Sequence, residues 1–226
     1  VDSEVFTVFP VFLLIDVSAS MAGGAIEAVN NAIPDLKKEM LANPMTGEIA
    51  RVGVVTFSDE GRTLIPLCDL ADVTIPEIMI EGGTDFYAGF KEVKQAIETG
   101  LRSLPKGTPF YRPVVFFMSD GAHQSRVHPD WSPAYRELTD RTWKLAPEIV
   151  AFGFGDAQAD TLSKVATRYA FMSKDSDPAT QVREIMHALL SSIRTASASF
   201  RDPSQADGLT IDAPTEHFTP LPKLSL

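Results

Sequence analysis

Short apolar runs alternate with segments of helical period along most of this chain, and that alternation admits only a narrow set of folds. Val11-Phe12-Leu13-Leu14-Ile15 and Val114-Val115-Phe116-Phe117-Met118 are continuous apolar runs, too short for helices. They read as the centres of buried strands over 7–16 and 112–119, and residues 49–58, 148–153 and 170–173 read as further strands. Between them, apolar residues recur every three or four positions. Ile26, Val29, Ile33 and Leu36 do so in 25–41, Phe90, Val93, Ile97 and Leu101 in 86–104, and Val182, Ile185, Leu189 and Ile193 in 177–199. Segments 133–145 and 160–169 also read as helical. Pro34 predicts a kink or a boundary near Ala32. Residues 43–47 read as a loop, 59–62 as a hairpin turn into an edge strand over 63–67, and 70–79 as ambiguous. Strands alternating with helices pair in parallel and carry helices on both faces. The expected fold is therefore α/β and doubly wound, with a mostly parallel central sheet and one antiparallel edge strand.

In such a sheet, ligands sit outside the carboxyl ends of the strands, where the strand order reverses. Three polar segments point there. Asp16-Val17-Ser18-Ala19-Ser20 leaves the first strand with oxygens at alternating positions. Ser119-Asp120-Gly121 ends another strand. Glu81-Gly82-Gly83-Thr84-Asp85 opens a helical pattern from a glycine loop that can approach closely. Hydroxyl and carboxylate oxygens around one point suit a hard divalent cation, most naturally Mg²⁺. Each segment also has a plainer reading. Ser18 and Ser20 could cap the next helix, Thr84 could be a helix N-cap, and Asp120-Gly121 could be an ordinary turn. Their coincidence at strand ends favours a shared site.

Asp16, Ser18, Ser20, Thr84 and Asp120 resemble the five-part metal-ion-dependent adhesion site of von Willebrand factor A domains. The resemblance covers about residues 5 to 200, with the five positions in the family's order. It implies a Rossmann-like fold that is not an enzyme and binds protein ligands through Mg²⁺, with Mn²⁺ or Ca²⁺ as substitutes. It further implies that Ser18 and Ser20 hold the metal through their hydroxyls, and Thr84 directly or through water. Asp16 and Asp120 would act through coordinated waters and hydrogen bonds to the serines. A partner Asp or Glu would complete the shell. Ala19 stands where the family often has glycine. The stretches Phe12-Leu13-Leu14-Ile15-Asp16 and Ile26-Glu27-Ala28-Val29-Asn30-Asn31 are similar to bacterial TerY-type proteins of tellurium-resistance clusters. That likeness implies a cytoplasmic scaffold in a stress-response or phospho-signalling module, with a kinase and a phosphatase as partners.

Composition agrees. The chain has 226 residues, 44% of them hydrophobic, which suffices for one large core. Its net charge of −10 disfavours nucleic acid and anionic membranes. A single cysteine, Cys68, excludes an intrachain disulfide and points to a reducing compartment. The apolar stretch 8–15 is too short to span a bilayer and lacks the basic start of a signal peptide. Residues 1–200 read as the A domain. Residues 201–226, with Pro203, Pro214, Pro220 and Pro222, read as a tail that is docked or disordered, in which Asp212 and Glu216 could reach a metal.

Three other residues are candidates for partner binding. Asp85 is read as a helix-start carboxylate or a support to Thr84. His123 lies with His128 in the loop after Asp120. Trp131 is read as an exposed aromatic edge or a cover over the sheet. Competing functions are a Mg²⁺-dependent hydrolase or phosphotransferase, with His123 as its only evident base, and an adaptor for an AAA-type ATPase. The chain has no phosphate-binding P-loop, no Gly-x-Ser-x-Gly elbow and no paired Cys/His cluster.

Overall fold

The computed structural model describes residues 7–174, 177–199 and 216–226. Its centre is one seven-stranded sheet in the order β3-β2-β1-β4-β5-β6-β7. These are β1 Phe9–Asp16, β2 Ala50–Phe57, β3 Gly61–Cys68, β4 Val114–Ser119, β5 Glu148–Gly153, β6 Tyr169–Ser173 and β7 Phe218–Leu221. The middle strands pair in parallel and β3 runs antiparallel to β2 at one edge, as the sequence predicts. β1 and β4 are buried along their whole length, which is why their sequences do not alternate in polarity.

Side chains of β1 alternate between two cores. Val11, Leu13 and Ile15 join the core under helices α1 (Gly24–Ala42) and α6 (Pro178–Ser199). Phe12 and Leu14 join the core under α3 (Phe86–Ser103), α4 (Ser132–Thr139) and α5 (Ala159–Val165). This is the doubly wound α/β arrangement. No helix among the described residues is long and apolar enough to cross a membrane.

Several elements differ from expectation. Pro34 does not end α1, which runs on to Ala42. Val29, Ile33, Leu36 and Met40 are all buried on one face, and that packing outweighs one missing backbone bond. Residues 43–47 are not a loop; Pro44 starts a short helix, α2 (Pro44–Ile49). α4 stops at Thr139 rather than near 145, because Asp140 Oδ1 accepts from Thr142 N–H and Thr142 Oγ–H, both at 2.8 Å, and turns the chain. α5 ends at Val165 because Thr167 and Arg168 N–H both turn to Ile149 O, at 3.1 Å.

A second antiparallel strand closes the other edge of the sheet. β7 pairs with β6, and Phe218 is wholly buried against Phe152 and Phe171, with ring centroids 5.5 and 6.2 Å away. The sequence signal for β7 is hidden by Pro220 within it and Pro222 just after it, and an edge strand tolerates such a proline. Glu216 pairs with His217 at 3.5 Å. Asp212 lies outside the described residues, as do 1–6 and 200–215.

Candidate metal centre

Strand order reverses between β1 and β4, where β2 lies to one side and β5 to the other. The carboxyl ends of β1 and β4 thus open a crevice. Asp16, the last residue of β1, is fully buried there. Its Oδ1 accepts from Ser18 N–H at 2.9 Å and its Oδ2 from Ser119 Oγ–H at 2.6 Å. Burial pushes the Asp16 carboxyl up to about 6, against the opposing pull of the Ser119 and Ser18 hydrogen bonds. Across the crevice, Ser20 Oγ–H donates to Asp120 Oδ1 at 2.8 Å, and Ser18 Oγ and Ser20 Oγ are 3.0 Å apart. Burial also raises the Asp120 carboxyl, more than the Ser20 bond lowers it.

The plain capping readings do not hold for these hydroxyls. Ser18 precedes a single 3₁₀ turn, Ala19–Met21, without a side-chain capping bond. α1 begins later, after Gly23 at φ 86°. Thr84 is not the N-cap of α3; Asp85 is, accepting from Ala88 N–H at 3.2 Å. Thr84 Oγ is left without a hydrogen bond among the described residues, although the residue is only 6% exposed. A Cβ placed on Gly121 would lie 3.8 Å from Ser20 Oγ and 3.9 Å from Thr84 Oγ. Both hydroxyls therefore face the same space beside Gly121.

The backbone around them is knitted. Ala19 N–H donates to Gly82 O at 3.1 Å and Glu81 N–H to Val17 O at 2.8 Å. Gly82 has φ 47°, and a side chain there would collide with Asp59, whose Oδ1 accepts from Gly83 N–H at 3.0 Å. The Ala19 methyl is exposed, so the departure from glycine disturbs no packing. Below the loops, Phe86 stands 5.8 Å from Phe57 and 5.1 Å from Phe117, both edge-to-face. This cluster ties the start of α3 to the ends of β2 and β4.

Asp85, His123 and Trp131 are placed near the crevice but face inward. Asp85 is 2% exposed; its Oδ2 accepts from Ser125 Oγ–H and His128 Nδ1–H, both at 2.7 Å. Burial opposes its ionisation, yet these bonds and the Ala88 N–H together hold its carboxyl below the usual range. His123 Nδ1 accepts from Phe86 N–H at 3.1 Å, which fixes the tautomer, so Nε2–H donates to His128 O at 2.7 Å. Both ring nitrogens are engaged, and neither is free to act as a base or a ligand. Trp131 is half-buried against Phe86, Phe90 and Tyr135. Sequence reasoning missed the supporting roles of Ser119, Ser125 and His128. Ser119 had a readable signal, a lone hydroxyl closing an otherwise apolar strand beside the Asp16 strand; the other two had none.

The donor set fits a hard cation. It holds the hydroxyls of Ser18, Ser20 and Thr84, the carboxylates of Asp16 and Asp120, and no nitrogen or sulfur. No cluster of three or more His, Cys, Asp or Glu exists among the described residues, as expected of a centre built mainly on hydroxyls.

Residues 11–188 match the family profile of the von Willebrand factor type A domain. No curated protein matches the chain. A von Willebrand factor type A protein from Catenulispora acidiphila superposes with TM-score 0.61 at 16% identity, over 83% of this chain and 43% of that one. Proximal thread matrix protein 1 from the mussel byssus, solved with a zinc-occupied MIDAS motif, gives 0.60 at 16% identity, over 84% and 49%. The ArnB paralog VWA2 from Sulfolobus acidocaldarius gives 0.51 at 13% identity, over 81% and 45%. The chain spans less than half the length of each of these proteins, and at such identities the likeness is one of fold.

Proposed function

This chain belongs to the von Willebrand factor type A domain family, a metal-binding adhesion and protein-interaction fold, and we propose that it is a Mg²⁺-dependent protein-binding domain without enzymatic activity. One observation carries the reading: Ser18, Ser20 and Asp120 are joined by hydrogen bonds at the ends of β1 and β4, with Thr84 Oγ facing the same space. Ser18, Ser20 and Thr84 would hold the ion through their hydroxyls. Asp16 and Asp120 would orient those serines and bound waters. When bound, the ion supplies a positive centre that neutral hydroxyls leave largely uncompensated. The group that suits it best is a hard anionic oxygen, the Asp or Glu side chain of a protein partner. The zinc in the MIDAS motif of the mussel protein supports a divalent ion at this position of the fold. His123, the one evident base for hydrolysis, has both nitrogens occupied, which favours binding over catalysis.

The likeness to TerY-type proteins supports a finer proposal: a cytoplasmic scaffold in a bacterial stress-response module, with a kinase and a phosphatase as partners. Calorimetric titration with Mg²⁺ tests the centre. Binding by the wild type and its loss in Ser18→Ala/Ser20→Ala is the expected result, and equal binding by both would refute it. Capture of protein partners on the immobilised domain should require Mg²⁺ and vanish in EDTA.

A further inference from the structure

Among the described residues, Thr84 is the one member of the proposed metal centre whose hydroxyl has no hydrogen bond. Asp16, Ser18, Ser20 and Asp120 are bonded to one another or to Ser119, whereas Thr84 Oγ has no hydrogen bond among the described residues. Its position relative to Asp120 must come from its backbone and immediate neighbours. Those neighbours are fastened to the loop that follows Asp120. Gln124 N–H donates to Thr84 O at 2.7 Å, and Phe86 N–H donates to His123 Nδ1 at 3.1 Å. Between them, Asp85 takes Ser125 Oγ–H and His128 Nδ1–H on Oδ2, both at 2.7 Å.

That pair of bonds exceeds what α3 needs. Capping uses Asp85 Oδ1, which accepts from Ala88 N–H. Oδ2 is left for the loop alone. The loop is in turn braced from within. His128 N–H donates to Ser125 Oγ at 2.9 Å, His123 Nε2–H donates to His128 O at 2.7 Å, and the His128 ring stacks on Tyr87 at 4.2 Å. Asp85 N–H on Ser58 O also anchors the 84–86 segment, beside the end of β2, and the Phe86 ring joins it to the core and, 5.6 Å from the His123 ring, to this loop as well.

We propose that His128 is a positioning residue of the metal centre: with Ser125 it clamps Asp85, and thereby sets Thr84 Oγ at a fixed place relative to Asp120. The inference rests on the reading of the metal centre given above. It separates geometry from folding, because the His128 side chain is 35% exposed and lies outside both cores, so its loss opens no internal cavity. Residues that orient ligands from behind commonly change metal affinity by about 10–100-fold when lost.

Mn²⁺ is the probe for the test, titrated into the whole chain and followed by calorimetry and by the electron paramagnetic resonance of the free ion. The proteins are wild type, Ser18→Ala/Ser20→Ala, His128→Leu and His128→Asn, whose amide nitrogen reproduces the Nδ1–H donor. Thermal midpoints of the metal-free proteins are measured alongside. Expected are a loss of Mn²⁺ affinity of about 10–100-fold in His128→Leu, recovery of most of it in His128→Asn, and a metal-free His128→Leu that unfolds cooperatively at a lowered midpoint, since the buried Asp85 loses one donor and keeps Ser125. Wild-type affinity in His128→Leu overturns the inference while leaving the metal centre intact. So does a fall in the midpoint with no change in affinity, which marks a purely structural residue. Equal Mn²⁺ binding by wild type and Ser18→Ala/Ser20→Ala, or none by wild type, overturns the metal centre itself and the inference with it.

Discussion

Ser119→Ala should damage this protein out of proportion to the single oxygen it removes. The hydroxyl is fully buried and donates to Asp16 Oδ2 at 2.6 Å, the shortest bond at the centre. Asp16 is itself wholly buried, and among the described residues its other hydrogen-bond partner is Ser18, whose N–H lies on Oδ1. Alanine keeps the strand and the packing but leaves one carboxylate oxygen without a donor where water has little access. A hydrogen bond to a charged group is worth about 1.5–3 kcal/mol, and a buried group left unsatisfied bears the upper part of that range. An exposed hydroxyl bond, such as Thr142 Oγ–H to Asp140 Oδ1, should be worth under about 0.5 kcal/mol when removed.

Urea unfolding of the metal-free protein at pH 8 measures both. Ser119→Ala should lower the midpoint with an unchanged slope, by about 1.5–3 kcal/mol, and Thr142→Ala by under about 0.5 kcal/mol. The same Asp16 carboxylate orients the Ser18 turn, so Mg²⁺ affinity should fall by about 10–100-fold in Ser119→Ala. A Ser119→Ala protein no less stable than Thr142→Ala, with unaltered Mg²⁺ affinity, would refute the placement of Ser119 as the support of Asp16.

Chelation should leave the fold standing, because both cores are apolar and neither contains a residue of the metal centre; far-UV circular dichroism in EDTA should match that in Mg²⁺, and a loss of cooperative unfolding would contradict this. Asp120→Ala should weaken Mg²⁺ binding more than Thr84→Ala, since it removes an anionic oxygen and also frees the Ser20 hydroxyl it holds; a calorimetric ranking in the opposite order would displace Asp120 from the centre. Burial, aided by neighbouring Asp69, pushes the Cys68 thiol above its ordinary value, so less thiolate is present at any pH below that value. The pH profile of iodoacetamide alkylation should have its midpoint at higher pH in the folded protein than in the same protein unfolded in urea; equal midpoints would show an unshifted thiol.

Legibility from the sequence followed the range of the interactions involved. β1 and β4 were readable because buried parallel strands leave unbroken apolar runs, and the helices because one face alone meets the sheet. Ser18, Ser20 and Asp120 were readable because each lies within four residues of a strand end, where the topology makes ligand sites. Elements set by a single local bond were not readable at that level. The Asp140–Thr142 turn stops α4 early, and the short α2 begins at a proline that also looks like a loop residue. β7 lay beyond reach for a different reason: its partner, β6, is separated from it by a long stretch of chain, and only the burial of Phe218 marks it as part of the sheet.

The Asp85–Ser125–His128 clamp shows why a candidate site can be found while its support goes unseen. Metal ligands are chosen by chemistry, so oxygen-bearing residues at strand ends announce themselves. A residue that orients a ligand is chosen only by where its loop happens to return. His123 and His128 stand in one loop with similar exposure, and by residue type either is a base or a ligand. In the fold, His123 spends both ring nitrogens on Phe86 N–H and His128 O, and His128 spends Nδ1 on Asp85. Histidine suits that work because its two ring nitrogens can join two segments of backbone at fixed directions, which a serine hydroxyl with a rotating proton cannot. The loop beside the metal centre is therefore rigid on its inner side, while its apex, with Arg126 exposed and Val127 80% exposed, faces outward. A partner carboxylate of the kind proposed would meet a surface already held by these bonds and would not have to order it, which would lower the entropy that binding must overcome.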